Sequence, residues 1–231
     1  KVENMFDSEM ELVNFFVDNY SSFDEKVIVK EMPIRFGNID VVSIENTYLP
    51  FSDEQTIILS KPSNSLVFTK IKNNRPLGKK TLHKVLGLSD STLEHALHEL
   101  LVSNLIKKNA NNQYTRAVEF VFPKTIISGY EAKLTDFNKA FYQAKGNRNF
   151  VDYSYLVFPM KKAQSVKENK INLIEKNGIG LIGVDKNKAV QLVRPLKINK
   201  MKNHIRLLNL TKASVLGTDR FLKGEDSSYE F

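Results

Sequence analysis

The sequence predicts an α/β protein. Strands and helices alternate along both ends of the chain, and a small basic module interrupts them in the middle. Three observations carry this reading. Apolar residues at strand spacing and at helical spacing follow one another on either side of the middle segment. The 231 residues suffice for one large domain or two small ones, and 42 % apolar with 26 % charged residues is the composition of a folded chain. The charge is unevenly placed: the net is +8, yet residues 61–117 hold ten Lys/Arg against three acids, while the other 174 residues carry 24 basic and 23 acidic groups. A cation excess confined to one segment predicts a polyanionic partner for it, most simply nucleic acid.

Composition also excludes chemistry. With no cysteine, there is no disulfide, thiolate zinc site, iron–sulfur cluster or cysteine nucleophile. No apolar run approaches the roughly 20 residues of a membrane helix, and no basic-then-apolar leader opens the sequence. A cytoplasmic protein without membrane contact is expected.

Ser8 opens the first helix, with Glu11 three residues on as its capping-box partner and Val13, Phe16 and Tyr20 as its apolar stripe. Glu9 lies along that stripe, where an acid needs a reason; an ordinary first-turn acid facing the helix dipole is the plain alternative. VIVKEMPIRF and NIDVVSI follow as two strands joined at Gly37-Asn38. The second is apolar on both faces except at Asp40. An ionised carboxylate there costs several kcal/mol unless it is paired, and a bound cation would remove that cost.

In the middle segment, Leu82, Val85 and Leu86 form a short helical stripe stopped by Gly87. Ser89 or Asp90 caps a second helix carrying Leu93, Leu97, Leu100 and Leu101. Leu105-Ile106, a basic pair, an Asn-rich turn and Tyr114 then read as a two-stranded wing. This order resembles the winged helix-turn-helix family, whose second helix enters the major groove. The face of that helix here shows Ser91, Glu94, His95 and His98. The contacts the resemblance implies are Lys79, Lys80 and Lys84 on the preceding helix, His95 on the second, and Lys107 and Lys108 on the wing. They suit phosphates better than base edges. The weak charge around Glu94 leaves open a module that is a spacer or docks another protein of a larger complex. His83, His95 and His98 lack a well-spaced third ligand for zinc.

After the module, TIISGYEAKL is a strand with Glu131 and Lys133 on one face and Ala132 on the other. Thr135 or Asp136 caps a helix with the stripe Phe137, Ala140, Phe141 and Ala144, ended by Gly146. YSYLVFP is a strand, Ala163 to Lys176 a helix with Gly178 past its end, and GIGLIGV a last strand. Gly178, Gly180 and Gly183 fit G-x-G-x-x-G, but the motif follows a helix and is itself strand-like, so no dinucleotide site is expected. From Pro195 the chain is basic (Lys197, Lys200, Lys202, His204, Arg206), then polar and acidic. A helix against the core and a phosphate-contacting surface both fit it.

The order helix, strand, strand, strand, helix, strand, helix, strand, with Asp40 on the second strand and Glu131-Ala132-Lys133 on the third, resembles the PD-(D/E)XK, or restriction-endonuclease-like, nuclease superfamily. The closest local match is YEAKLTDFNKAFYQAKGNRNFVDYSYLVFP, with Lys139, Ala140, Gln143 and Ala144 on its helix and Asp152 before the next strand. Ile39 stands where the family name has Pro, and the gap from Asp40 to Glu131 is longer than usual. The resemblance implies a mixed sheet flanked by helices, formed by residues 1–60 and 118–231, with a winged helix inserted at 61–117. It implies that Asp40, Glu131 and the carbonyl of Ala132 hold Mg²⁺ or Mn²⁺. Lys133 would orient water or stabilise charge, Glu9 would help from the first helix, and Gln143 would position the site or the substrate. The activity implied is metal-dependent hydrolysis of DNA phosphodiester bonds, with a second copy of the chain for double-strand cutting. The rivals are a non-catalytic DNA-binding or assembly protein on the same scaffold and, for Glu131 and Lys133 taken alone, an exposed edge-strand ion pair worth under about 1 kcal/mol.

Overall fold

A hairpin starts the sheet. In the computed structural model, which describes residues 5–45, 48–197 and 201–219, helix α1 (Glu9–Asn19) precedes strands β1 (Lys26–Ile34) and β2 (Gly37–Glu45). Next in the chain come α2 (Asp53–Leu59), α3 (Pro62–Lys70), β3 (Leu77–Gly78), α4 (Lys79–Leu86), α5 (Asp90–Val102), β4 (Ile106–Lys108) and β5 (Gln113–Arg116). Then follow β6 (Ile127–Ala132), α6 (Phe137–Asn147), β7 (Tyr153–Pro159), α7 (Met160–Lys176), β8 (Gly180–Val184), β9 (Ala189–Val193), α8 (Asn203–Leu216) and β10 (Thr218–Asp219). Residues 1–46, 125–201 and 217–231 make one compact unit, and residues 47–124 with 202–216 make another.

The first unit is α/β, with a mixed sheet in the order β10-β1-β2-β6-β7-β8-β9. β6, β7 and β8 run parallel, joined through α6 and α7; the other pairings are antiparallel. The chain thus leaves the sheet after β2 and re-enters it at the neighbouring β6. One core joins Leu12, Val13, Phe16 and Val17 of α1 to Val41, Tyr130, Ala132, Val157 and Ile182 of the sheet. It is rich in aromatic edges: Phe16, Tyr20 and Phe23 pack round Tyr130, and Tyr130 stacks on Tyr155 at 4.8 Å. A second core joins Phe137, Ala140, Phe141 and Ala144 of α6 and Ala163, Val166 and Ile174 of α7 to Leu156, Phe158 and Leu181. Helices therefore cover the sheet through two separate apolar layers.

The other unit has a core of Leu59, Val67, Phe68, Leu82, Leu93, Leu97, Leu100, Ile106, Tyr114 and Leu207. α4 ends at Gly87, whose φ of +64° is a left-handed cap, and the Ser89 side chain caps α5 by accepting from the Thr92 N–H. β4 and β5 form a hairpin, and β3 extends it into a three-stranded sheet in the order β3-β5-β4. Arg116, counted above with the basic excess, is 7 % exposed. Its guanidinium donates to the carbonyls of Phe68 and Phe120 and lies over both rings, and burial lowers its pKa to about 10. It stitches α3 to residues 116–120 and offers nothing to a polyanion.

Several expectations change. The unit boundaries fall at 46/47 and 124/125 rather than at 60/61 and 117/118, because α2, α3 and the segment around Phe120 share the core of the second unit. α8 packs with α2 and α3 there, so the stretch after Pro195 contributes a helix to the second unit; Lys200 and the acidic tail lie outside the described residues. Val85 is exposed, which leaves Leu82 as the buried residue of α4. Glu11 accepts from the Asp7 N–H, not that of Ser8, so the capping box of α1 is shifted by one residue. The hairpin turns at Arg35-Phe36, since Ile34 pairs with Gly37 and Pro33 with Asn38. α6 runs through Gly146 to Asn147.

The glycine motif is explained by packing. Gly178, at φ +61°, ends α7: its N–H bonds the Glu175 carbonyl and the Ile179 N–H bonds that of Ile174. Gly180 pairs across the ladder with Tyr155, and an added Cβ would lie 2.7 Å from Tyr155 Cε1 and closer still to Cδ1. At Gly183 the tightest contact would be the flexible Met160 Sδ, at 2.6 Å. Gly180→Ala is expected to destabilise the protein by about 1–3 kcal/mol, because the stacked Tyr155 ring cannot yield, and Gly183→Ala by clearly less. Urea unfolding of the two variants against the wild type checks the order.

Candidate active site

β6 carries the site. It lies between β2 and β7, and all six of its residues are buried. Its antiparallel register with β2 runs from Ile44↔Ile127 to Val41↔Tyr130, and Asp40 and Glu131 are the next residues along the two strands. The regular ladder stops there. The Ala132 N–H is accepted by Asp40 Oδ2 at 2.8 Å. In β1, between the paired residues Lys30 and Met32, Glu31 adopts a φ of +52°, a left-handed conformation that costs a side-chain-bearing residue about 1 kcal/mol or more. The strand pair is thus irregular where Asp40 leaves it.

Lys133 follows β6 by one residue and is 4 % exposed. Its ammonium is 3.2 Å from Asp40 Oδ2 and 3.2 Å from Glu9 Oε2, and it donates to the Ala132 carbonyl at 2.9 Å. Burial by itself lowers the pKa of an ammonium, but attraction to Asp40 and Glu9 outweighs this and the net shift is upward. Lys133 therefore keeps its proton at neutral pH and serves as a donor, not as a base.

Glu131 has no exposed surface. Asn147 Nδ2 donates to its Oε1, while Oε2 is buried without a partner. Burial, and then the charge of Asp40, push the Glu131 carboxyl up to about 8, against the opposing pull of Asn147 and Lys133. Three acids thus share one ammonium, and the most deeply buried of them, Glu131, is left short of positive charge.

Asp40, Ala132, Lys133 and Glu9 are therefore linked by hydrogen bonds and ion pairs, and Glu131 is coupled to them through the charges of Asp40 and Lys133. Glu9 sits on its rim, with its side chain 49 % exposed, and its partner is Lys133. The expected common face of Glu131 and Lys133 does not hold: Glu131 bonds Asn147 of α6, whereas Lys133 meets Glu9 of α1, because strict alternation ends with the strand at Ala132. Gln143 lines a cavity shared with Glu131 and Asn147, and its Oε1 is buried without a partner. Asn147 lies beyond Gly146, where the sequence predicts the helix to end; its position four residues after Gln143 is the signal that puts it on the same helix face.

The expected nucleic-acid contacts belong to the second unit. Lys79 is paired with Glu94. His95 lies 3.6 Å from Glu99, whose carboxyl is held below its ordinary range by hydrogen bonds from Asn64 and Lys61. Lys80, Lys84, Lys107 and Lys108 are exposed and have no carboxylate partner among the described residues, and Lys108 lies 6.0 Å over the Tyr114 ring. His83 is 3.5 Å from Asp90.

Among the described residues, no three His, Asp or Glu side chains form a ready metal cage. The donor types nevertheless suit a hard divalent ion, although Asp40 Oδ2 and the Ala132 carbonyl face the Lys133 ammonium. The set offers two carboxylates and a carbonyl, which are oxygen ligands, and Glu131 Oε2 is a buried oxygen with no protein partner.

In chelator, the folded protein holds a proton on Glu131 that the unfolded chain releases above about 4.5. The stability this contributes is fully present below that value and is lost as pH rises through about 8. Glu131→Gln is expected to remove a loss of at most about 1.4 kcal/mol per pH unit across that window. Denaturant unfolding of both proteins between pH 5 and pH 8 reads it.

In comparison with models of protein families, with curated proteins and with solved structures, the chain matches none of them.

Proposed function

We propose that the protein is a metal-dependent nuclease acting on DNA, with the first unit a restriction-endonuclease-like domain and the second a winged helix that holds the substrate. One observation carries the reading: Asp40, Glu131 and Lys133 are coupled through their charges although the chain between Asp40 and Glu131 builds another unit, and Glu131 is buried with an unpaired oxygen and a carboxyl pushed up to about 8. Buried carboxyls with strongly raised pKa values cluster at functional sites.

Asp40, Glu131 and the Ala132 carbonyl would hold an ion of the magnesium type, which would supply Lewis-acid charge to a scissile phosphate and lower the pKa of a bound water. Lys133, protonated and fixed between Glu9 and Asp40, donates to the attacking water or to a phosphate oxygen as charge develops. Asp40 orients that ammonium and caps the Ala132 N–H. Asn147 holds the Glu131 carboxylate in place. Lys80, Lys84, Lys107 and Lys108 supply sequence-independent phosphate contacts.

A second reading is a non-catalytic DNA-binding scaffold. It is favoured by Lys133, whose ammonium already neutralises Asp40 without any ion. Hydrolysis of duplex and single-stranded DNA with Mg²⁺ or Mn²⁺ separates the two. Cleavage that chelator abolishes, and that Asp40→Asn and Lys133→Ala each slow by about 100-fold or more, is expected. Salt-dependent binding without cleavage under any condition selects the scaffold. In either case Lys80→Ala with Lys84→Ala should reduce the salt slope of DNA binding by about two, and Lys79→Ala by less, since Glu94 already neutralises Lys79.

A further inference from the structure

A cavity of about 460 Å³ opens beside Glu131 in the first unit, between the tip of the β1–β2 hairpin and α6. Its size is that of a small-ligand pocket. Two of its walls are largely exposed aromatic rings. Phe36, in the tight turn of the hairpin, is 83 % exposed, and Tyr142 on α6 is 72 % exposed. Scattered apolar residues on a surface are ordinary, but these two line the same cavity, with Phe150 as a third ring. The Arg35 guanidinium lies 5.1 Å over the Phe36 ring and adds positive charge at the hairpin tip. Gln143, Asn147 and Glu131 also line it. Such a pocket suits a flat molecule with an aromatic face to stack on the exposed rings and polar groups in its plane for Gln143 to meet. An aliphatic chain has neither.

We propose that this cavity takes the base of an unpaired DNA nucleotide, stacked on Phe36 and Tyr142 and read at its edge by Gln143. The inference rests on the nuclease reading of the adjacent site and deepens it: the substrate is DNA with an unpaired base next to the bond that is cut. A base inside a duplex is already stacked and paired on its edge, so it must be single-stranded, bulged or extruded to enter. Arg35 then lies near the backbone of that nucleotide.

The test is the binding of the full chain, in chelator, to three end-labelled DNAs: a perfect duplex, the same duplex with one bulged adenine, and the single strand. Fluorescence anisotropy is expected to give at least about tenfold tighter binding to the bulged duplex than to the perfect one. The double variant Phe36→Ala/Tyr142→Ala, whose exposed side chains leave the thermal midpoint unchanged, is expected to abolish that ratio. Lys80→Ala with Lys84→Ala should weaken all three complexes alike and keep it. Equal wild-type affinity for bulged and perfect duplex, or a ratio unchanged in the double variant, overturns the proposal. Hydrolysis is not read in this assay. A chain that cleaves but does not prefer the bulge keeps the nuclease reading and loses the pocket, and one that prefers the bulge but never cleaves does the reverse.

Discussion

A carboxyl group with no access to water sits at the end of a central strand, and the rest of the site is arranged around the difficulty it creates. Glu131 has one hydrogen-bond donor in Asn147, a like charge in Asp40 and a share of Lys133. Desolvation is the largest influence on it, because a buried anion forfeits hydration that a single amide cannot replace. The sheet forces the arrangement. β6 pairs antiparallel with β2 on one side and parallel with β7 on the other, so its end lies where the two patterns meet.

Asp40 ties this chemistry to the architecture. The same Oδ2 that faces the Lys133 ammonium also accepts the Ala132 N–H where the β2–β6 ladder gives out. Removing its charge therefore disturbs both the strand end and the network. The left-handed Glu31 nearby is a cost the hairpin bears at this place, and strained backbone persists where surrounding contacts over-determine it. Arg116 in the second unit is a useful contrast. It too is a buried charge, but its carbonyl acceptors and the rings of Phe68 and Phe120 satisfy it, which marks it as structural.

Much of the fold was legible because local rules governed it. YSYLVFP became β7, Asp136 capped α6, Ser89 capped α5 and Gly87 ended α4, each following from propensity and backbone chemistry. Errors fell where local and tertiary preferences differ. Val85 matched a helical stripe but found no core to enter, and β9 and α8 carry weak patterns that only their packing partners make regular.

Composition and short-range pattern already place the ionisable groups: an acid in an apolar strand at Asp40, the alternating Glu131-Ala132-Lys133, and a basic excess between residues 61 and 117. These follow from composition and short-range periodicity, which the chain carries before it folds. Folding adds what no segment carries alone: Glu131 left short of charge and held by Asn147, Lys133 turned to α1, and Arg116 enclosed in a core. Burial and pairing of charges depend on which segments meet across the sheet, and pairing over so long a separation is set by the packing of the whole, not by any local stretch.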